Sequence, residues 1–200
     1  SELALSGFIT HTIPSSPATL IIANRTISSS YKKHLSRAYR EPLYMEKLHS
    51  KFKWNDTITN SIAWKALSIG IRRIKRQCLT TKICNDILPV ASHLKKIRYQ
   101  QSDACCLCGA KETKTHLFLC TAAPRIKWKI KYITALRKLL KHKDISPIII
   151  NTMCTAITEY LDTGTVVVTN YHPKFHTILH SQTQIGWRQI FLGKLSQEWS

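Results

Sequence analysis

A chain of 200 residues with 44% hydrophobic content is long enough to bury a core without covalent staples. Thirty Lys and Arg against eleven Asp and Glu give a net charge of +19, which points to a polyanionic partner, with nucleic acid ahead of a membrane surface because no lipidation signal or amphipathic anchor is evident. Seven cysteines, four of them clustered with a histidine, argue against a disulfide framework, and no apolar run approaches the ~20 residues of a membrane span, so an intracellular protein of cytoplasm or nucleus is expected.

Residues 1–29 are rich in Ser, Thr and Ile, interrupted by Pro14 and Pro17, with one apolar strip at Leu20-Ile-Ile-Ala23. They read as an extended linker or the remnant of an upstream domain, and the start at Ser1 without methionine suggests a piece of something longer. From Ser30 the pattern turns basic and helical, with Tyr31, Leu35, Ala38 and Tyr39 at spacings of three and four. Pro42 is expected to open a second helix over Leu43 to Phe52.

Asp56 or Thr57 suits the cap of a helix over about 59–77. On it Ala63, Trp64, Leu67, Ile71 and Ile74 share an apolar face, while Lys65, Arg72 and Arg76 make an opposite row of cations with no acid among them. A helix over Leu79 to Leu88 stops before Pro89 and carries Lys82, and the run from Ser92 to Arg98 adds three more cations.

The stretch Cys105-x2-Cys108-x7-His116-x3-Cys120 then supplies three thiols and an imidazole within sixteen residues. That donor set suits a closed, tetrahedral, structural zinc ion. A two-residue gap lets one tight turn aim two sulfurs at a point, with Gly109 free to take a positive φ. His116 and Cys120 share a helix face, on a helix opened by Thr113 or Lys114 with Leu117 and Phe118 turned to the core. Cys106 is the alternative to Cys105 as ligand; a Cys-x-Cys turn holds two sulfurs on one metal less comfortably.

Pro124 fits the first turn of a long helix to about His142, with Ile126, Ile130, Ile133, Leu136 and Leu140 as its buried stripe. Lys127, Lys131, Lys138 and Lys141 form a basic stripe beside it. Ile145 to Leu161 reads as a more apolar helix stopped by Asp162-Thr-Gly164, and Val166 to Thr169 as a loop edge. His172, His176 and His180 are spaced by four, but Pro173 and the lack of any accompanying acid or cysteine speak against a second metal site. Gln184 to Trp199 is a last amphipathic segment.

The expected fold is thus mainly α: a helical bundle with a small embedded zinc-binding turn-helix and an extended N-terminal segment. A basic module over 30–143 would carry the zinc site, with C-terminal helices over 144–200 packed on it. No two acidic residues are adjacent, so a catalytic carboxylate pair is missing and an enzyme is not expected.

Several landmarks fall in order: a Trp-containing helix, Lys82 ahead of Ile87-Leu88-Pro89, Cys105-x2-Cys108, Glu112-Thr113, His116-x3-Cys120 and a basic helix with Trp128. This order resembles the zinc-binding region that follows the reverse transcriptase and ribonuclease H domains of retrotransposon polyproteins. The tail Gln184-Ile-Gly-Trp187-Arg-x-Ile-Phe-x-Gly193-Lys-Leu-Ser-x-Glu-Trp199 is similar to the diatom-type variety. The resemblance implies an accessory module of a polymerase, partnered with nucleic acid and with the upstream domains of the same polyprotein. Lys65, Arg72, Arg76, Lys82, Lys127, Lys131 and Lys138 are the candidate phosphate contacts, and Trp128 or Tyr132 a candidate base-stacking ring. The competing expectation is a docking scaffold for those upstream domains, with its charge incidental.

Overall fold

Proline and glycine punctuate the helices that make up most of the chain. The computed structural model describes residues 20–22, 25–27, 29–74, 77–143 and 145–199, so Arg76 and the reading of residues 1–19 lie outside the described residues. The architecture is mainly α, and the chain divides into two compact units between Thr59 and Asn60.

In the first unit, β1 (Leu20–Ile22) pairs antiparallel with β2 (Arg25–Ile27), Ile21 opposite Thr26. The helix α1 (Tyr31–Phe52) follows as one continuous element with Pro42 inside it, where two helices were expected. Proline forfeits one backbone hydrogen bond there, yet the good helix formers from Leu43 to Leu48 carry the helix past it. It ends at Lys53, which adopts a left-handed conformation at φ 58°. The short α2 (Asp56–Asn60) is capped by Asn55, whose side-chain oxygen accepts the Ile58 N–H at 2.9 Å, so the cap falls ahead of both Asp56 and Thr57.

The second unit begins with a break in the helix expected over 59–77. Ile62 bridges to Ser196, the Ala63 N–H donates to the Leu195 carbonyl at 2.8 Å, and the Gln197 N–H to the Ser61 carbonyl at 2.8 Å. This pairing takes the backbone groups a helix would need, and Ile62 becomes fully buried. Helix α3 (Trp64–Arg73) starts only after it, followed by α4 (Gln77–Cys84) and α5 (Ala91–Lys96). Helix α4 stops well before Pro89 because Asp86 turns left-handed at φ 55°, sending the Ile87 N–H back to the Lys82 carbonyl at 2.8 Å.

After the one-turn α6 (His116–Leu119), α7 (Ala123–Lys141) and α8 (Pro147–Thr163) pack as neighbours across residue 144. Both helices belong to the second unit. Helix α8 forms the centre of the core, with Met153, Ala156, Ile157, Tyr160 and Leu161 buried against Phe118, Phe175, Leu179 and Trp187, while Asn151, Thr155, Thr158 and Asp162 line its exposed side. Gly164 ends it at φ 82°, its N–H on the Tyr160 carbonyl at 2.8 Å. Burial of a side chain such as Ile157 stabilises the fold by roughly 1.5–3 kcal/mol.

The stripe that α7 buries differs from expectation. Tyr132, Ile133, Leu136 and Leu140 face the core, whereas Ile126 is 44% and Ile130 62% exposed. Lys129 sets that rotation: it is buried, and its ammonium donates to the Leu161 carbonyl at 2.5 Å beside Asp162 at 3.8 Å. The tail folds as α9 (His176–Ile185) flanked by 3-10 turns at Pro173–Phe175, Trp187–Leu192 and Gln197–Trp199. Gln182 locks the tail by accepting the Ser196 N–H at 3.0 Å, and Lys194, fully buried, donates to the Cys84 carbonyl at 2.6 Å. A cation on a last-turn carbonyl of α4 also suits the negative end of that helix.

Candidate metal centre and basic surface

Residues 103–112 fold back on themselves as a knuckle. The Cys105 N–H donates to the Ala110 carbonyl at 2.6 Å, the Gly109 N–H to the Cys105 carbonyl at 2.9 Å and the Glu112 N–H to the Asp103 carbonyl at 2.7 Å. Gly109 takes φ 75°, the left-handed conformation that the reversal requires. The knuckle presents Cys105 and Cys108, and the helical turn beyond it presents His116 and Cys120. Thr113 starts that turn, its hydroxyl accepting the His116 N–H at 3.0 Å and its carbonyl the Leu117 N–H at 3.1 Å.

The ligand atoms of Cys105, Cys108, His116 and Cys120 all lie within 4.8 Å of one another, a group that can hold a metal ion. The Cys108 and Cys120 sulfurs are 3.7 Å apart, and Cys108 Sγ lies 3.3 Å from His116 Nε2. A tetrahedron with bonds of ~2.3 Å to sulfur has edges of roughly 3.8 Å, so the spacing fits four-coordination by this donor set. Cys105 and Cys120 are buried; Cys106 is exposed and stands outside the group, which separates the two readings of the first ligand.

Electrostatics around the sulfurs is uneven. The Leu107 N–H and then His116 bring the Cys105 thiol down to about 7, toward the thiolate that binds metal. At Cys108 the Ala110 N–H pulls down, but desolvation and the Cys120 and Cys105 sulfurs together push the thiol up.

Glu112, noted as a landmark of the motif, and Lys114, expected as a possible start of the helix after it, hold the knuckle to its surroundings. The Glu112 carboxylate accepts the Ala91 N–H at 3.0 Å, and its backbone carbonyl the Ser92 N–H at 3.1 Å, tying the knuckle to the start of α5. Lys114 donates to the Asp86 carbonyl at 2.7 Å and to its carboxylate at 3.2 Å. Arg188, from the tail, meets the same carboxylate at 2.6 and 3.1 Å. Burial alone would push Asp86 up; Arg188 and Lys114 outweigh it and hold the carboxyl below its usual range. No sequence signal marked Asp86, since a lone aspartate after a helix reads as a solvated turn.

The expected basic residues that fall among the described residues are spread over three helices. Lys127, Lys131 and Lys138 are exposed along α7 with no ion pair among the described residues. Lys65 and Arg72 are exposed on α3, where Arg72 donates to the Ser68 carbonyl of its own helix, and Lys82 is exposed on α4. Helix α3 has no buried residue, and Ile74 is 45% exposed. Its apolar side instead opens onto a groove of about 550 Å³, lined among others by Leu67, Ile71, Phe118, Trp128, Ile190 and Phe191. Tyr132 packs against the core and stacks on Trp128 with ring centres 5.5 Å apart, and Trp128, 37% exposed, has the more open ring of the two.

The three tail histidines form no metal group among the described residues: His176 Nε2 lies 2.9 Å from the Tyr171 carbonyl and His172 Nδ1 accepts the Lys174 N–H. No helix among the described residues is long and apolar enough to cross a membrane. Comparison of the chain with family models, curated proteins and solved structures returns no match.

Proposed function

We propose that this chain is a zinc-stabilised helical module that binds nucleic acid through its phosphates, as an accessory to a retroelement polymerase. The observation that carries the reading is the convergence of Cys105, Cys108, His116 and Cys120 directly ahead of a helix whose outer face carries Lys127, Lys131 and Lys138 without acid partners among the described residues. Three thiolates and one imidazole at this spacing favour zinc over harder cations, and leave no open position for chemistry on the metal. The ion is then a clasp: it fastens the knuckle to α6, which delivers Phe118 to the core and the chain to the start of α7.

The net charge of +19 supplies a field that attracts polyanions, and exposed lysines without partners lose little when a phosphate arrives. Contacts of this kind carry no sequence information, so binding is weakly selective. The test is the affinity of the purified chain for a labelled oligonucleotide across a series of salt concentrations. The reading expects a steep linear fall of log affinity with log salt; an affinity indifferent to salt contradicts it.

A docking scaffold for the neighbouring polymerase or ribonuclease H domains is the second reading. The apolar groove of about 550 Å³ favours it, since an open apolar surface of that kind suits a protein partner.

A further inference from the structure

Next to the metal group the fold builds a shallow polar depression of about 400 Å³, lined by Ser92, His93, Lys96, Thr113, Lys114 and Arg188 with Val90 and Thr115 at its margin. These residues come from α5, from the turn leading into α6 and from the tail, so only the fold brings them together. We infer that this depression is a binding site for a phosphate group, either a backbone phosphate of nucleic acid or a free phosphate ester.

Three features support a phosphate. First, the local charge is positive: Lys96, Lys114 and Arg188 outnumber the nearby carboxylates of Asp86 and Glu112, and the Glu112 carboxylate is turned to the Ala91 N–H. Second, two of the cations are already fixed. Asp86, 4% exposed, holds the Arg188 guanidinium end-on and the Lys114 ammonium beside it, so little side-chain freedom remains to be lost on binding. Both side chains keep N–H donors beyond those spent on Asp86. Third, the hydroxyls of Ser92 and Thr113 add neutral donors beside the cations. A phosphate presents more charge and more acceptor oxygens than a carboxylate, and it matches donors arriving from separate elements. The assignment to a nucleic-acid backbone rests on the reading in the previous subsection; the affinity of the depression for phosphate does not.

The test uses the full chain, with Lys96→Glu as the probe variant, because Lys96 is exposed and has no ion pair among the described residues. Lys47→Glu, an exposed position of α1 in the other unit, changes the net charge equally and serves as the control. Inorganic phosphate and a single-stranded oligonucleotide lacking a terminal phosphate are each titrated while the amide resonances of Thr113 and Thr115 are followed. The proposal expects saturable shifts of these amides with inorganic phosphate, lost in Lys96→Glu and kept in Lys47→Glu. If the source is a backbone phosphate, the oligonucleotide moves the same amides, and Lys96→Glu weakens it roughly tenfold more than Lys47→Glu does. If inorganic phosphate saturates the amides and the oligonucleotide does not bind, the site stands as one for free phosphate esters and the nucleic-acid reading falls. Absence of saturable shifts with both probes, even where the oligonucleotide binds elsewhere, overturns the proposal.

Discussion

The guanidinium of Arg188 meets the carboxylate of Asp86 end-on, at 2.6 and 3.1 Å, across 102 residues of sequence. With Lys114 on the same carboxylate, one buried acid joins the turn after α4, the approach to the metal group and the C-terminal tail. Asp86→Asn keeps the shape and tolerates the left-handed backbone, but leaves two cations without their counter-charge. Chemical denaturation should show a loss of about 2–4 kcal/mol for Asp86→Asn. Asp86→Ala should lose more, because alanine adds the strain of φ 55°. A variant as stable as the parent would remove Asp86 from the framework.

The same pair sets a pH dependence. The Asp86 carboxyl lies below its unfolded value, so its contribution is complete above the unfolded pKa of about 4 and is lost as pH falls through the folded value. Stability of the parent should therefore drop on acidification below about pH 4. The drop should be smaller in Asp86→Asn when both are followed by denaturant midpoint over the same range, and equal slopes would assign the acid sensitivity elsewhere.

Lys194 is fully buried with its ammonium on the Cys84 carbonyl at 2.6 Å. Lys194→Ala removes that bond and leaves a cavity, and should cost about 2–4 kcal/mol by thermal or denaturant unfolding. Lys194→Met restores most of the volume and should recover part of the loss. Equal losses for the two variants would mean that the ammonium, not the packing, is what the site requires.

Gly193 sits at φ 80°, where a Cβ would lie 2.6 Å from Leu67 Cδ1. Gly193→Ala should destabilise by about 1–3 kcal/mol through both backbone strain and the clash. In a double-mutant cycle with Leu67→Ala, the clash component should vanish while the backbone component of about 1 kcal/mol persists.

Under the zinc proposal, elemental analysis should find one equivalent of zinc in the parent chain and in Cys106→Ser, and far less in Cys108→Ser and Cys120→Ser. Retention of metal by both of the last two would contradict the ligand set.

What could be read from the sequence was what short-range signals encode. Pro124, Pro147 and Gly164 bracket α7 and α8 where proline and glycine chemistry puts them, and the Cys and His spacing alone brought four ligands together. What could not be read depends on partners far along the chain. The break at Ser61 to Ala63 exists because residues 195–197 pair with it, and nothing local interrupts the helical pattern there. Nothing in the sequence marks Lys129, Lys194 and Asp86 for burial, yet each is buried against a carbonyl or counter-ion supplied by another element. Ile126 and Ile130 fit the apolar period of α7 but fall past the edge of the face that Lys129 and Tyr132 turn inward.

The central claim is that the cations of α7 contact nucleic-acid phosphates, and the most direct measurement is the salt dependence of oligonucleotide affinity for the triple variant Lys127→Glu, Lys131→Glu, Lys138→Glu. Those side chains are exposed and unpaired among the described residues, so the fold should survive, as far-ultraviolet circular dichroism would record. Affinity should fall by roughly a hundredfold at moderate salt, with a log–log salt slope shallower by about three. A folded variant with the affinity and salt slope of the parent would contradict it and leave the docking scaffold as the better reading.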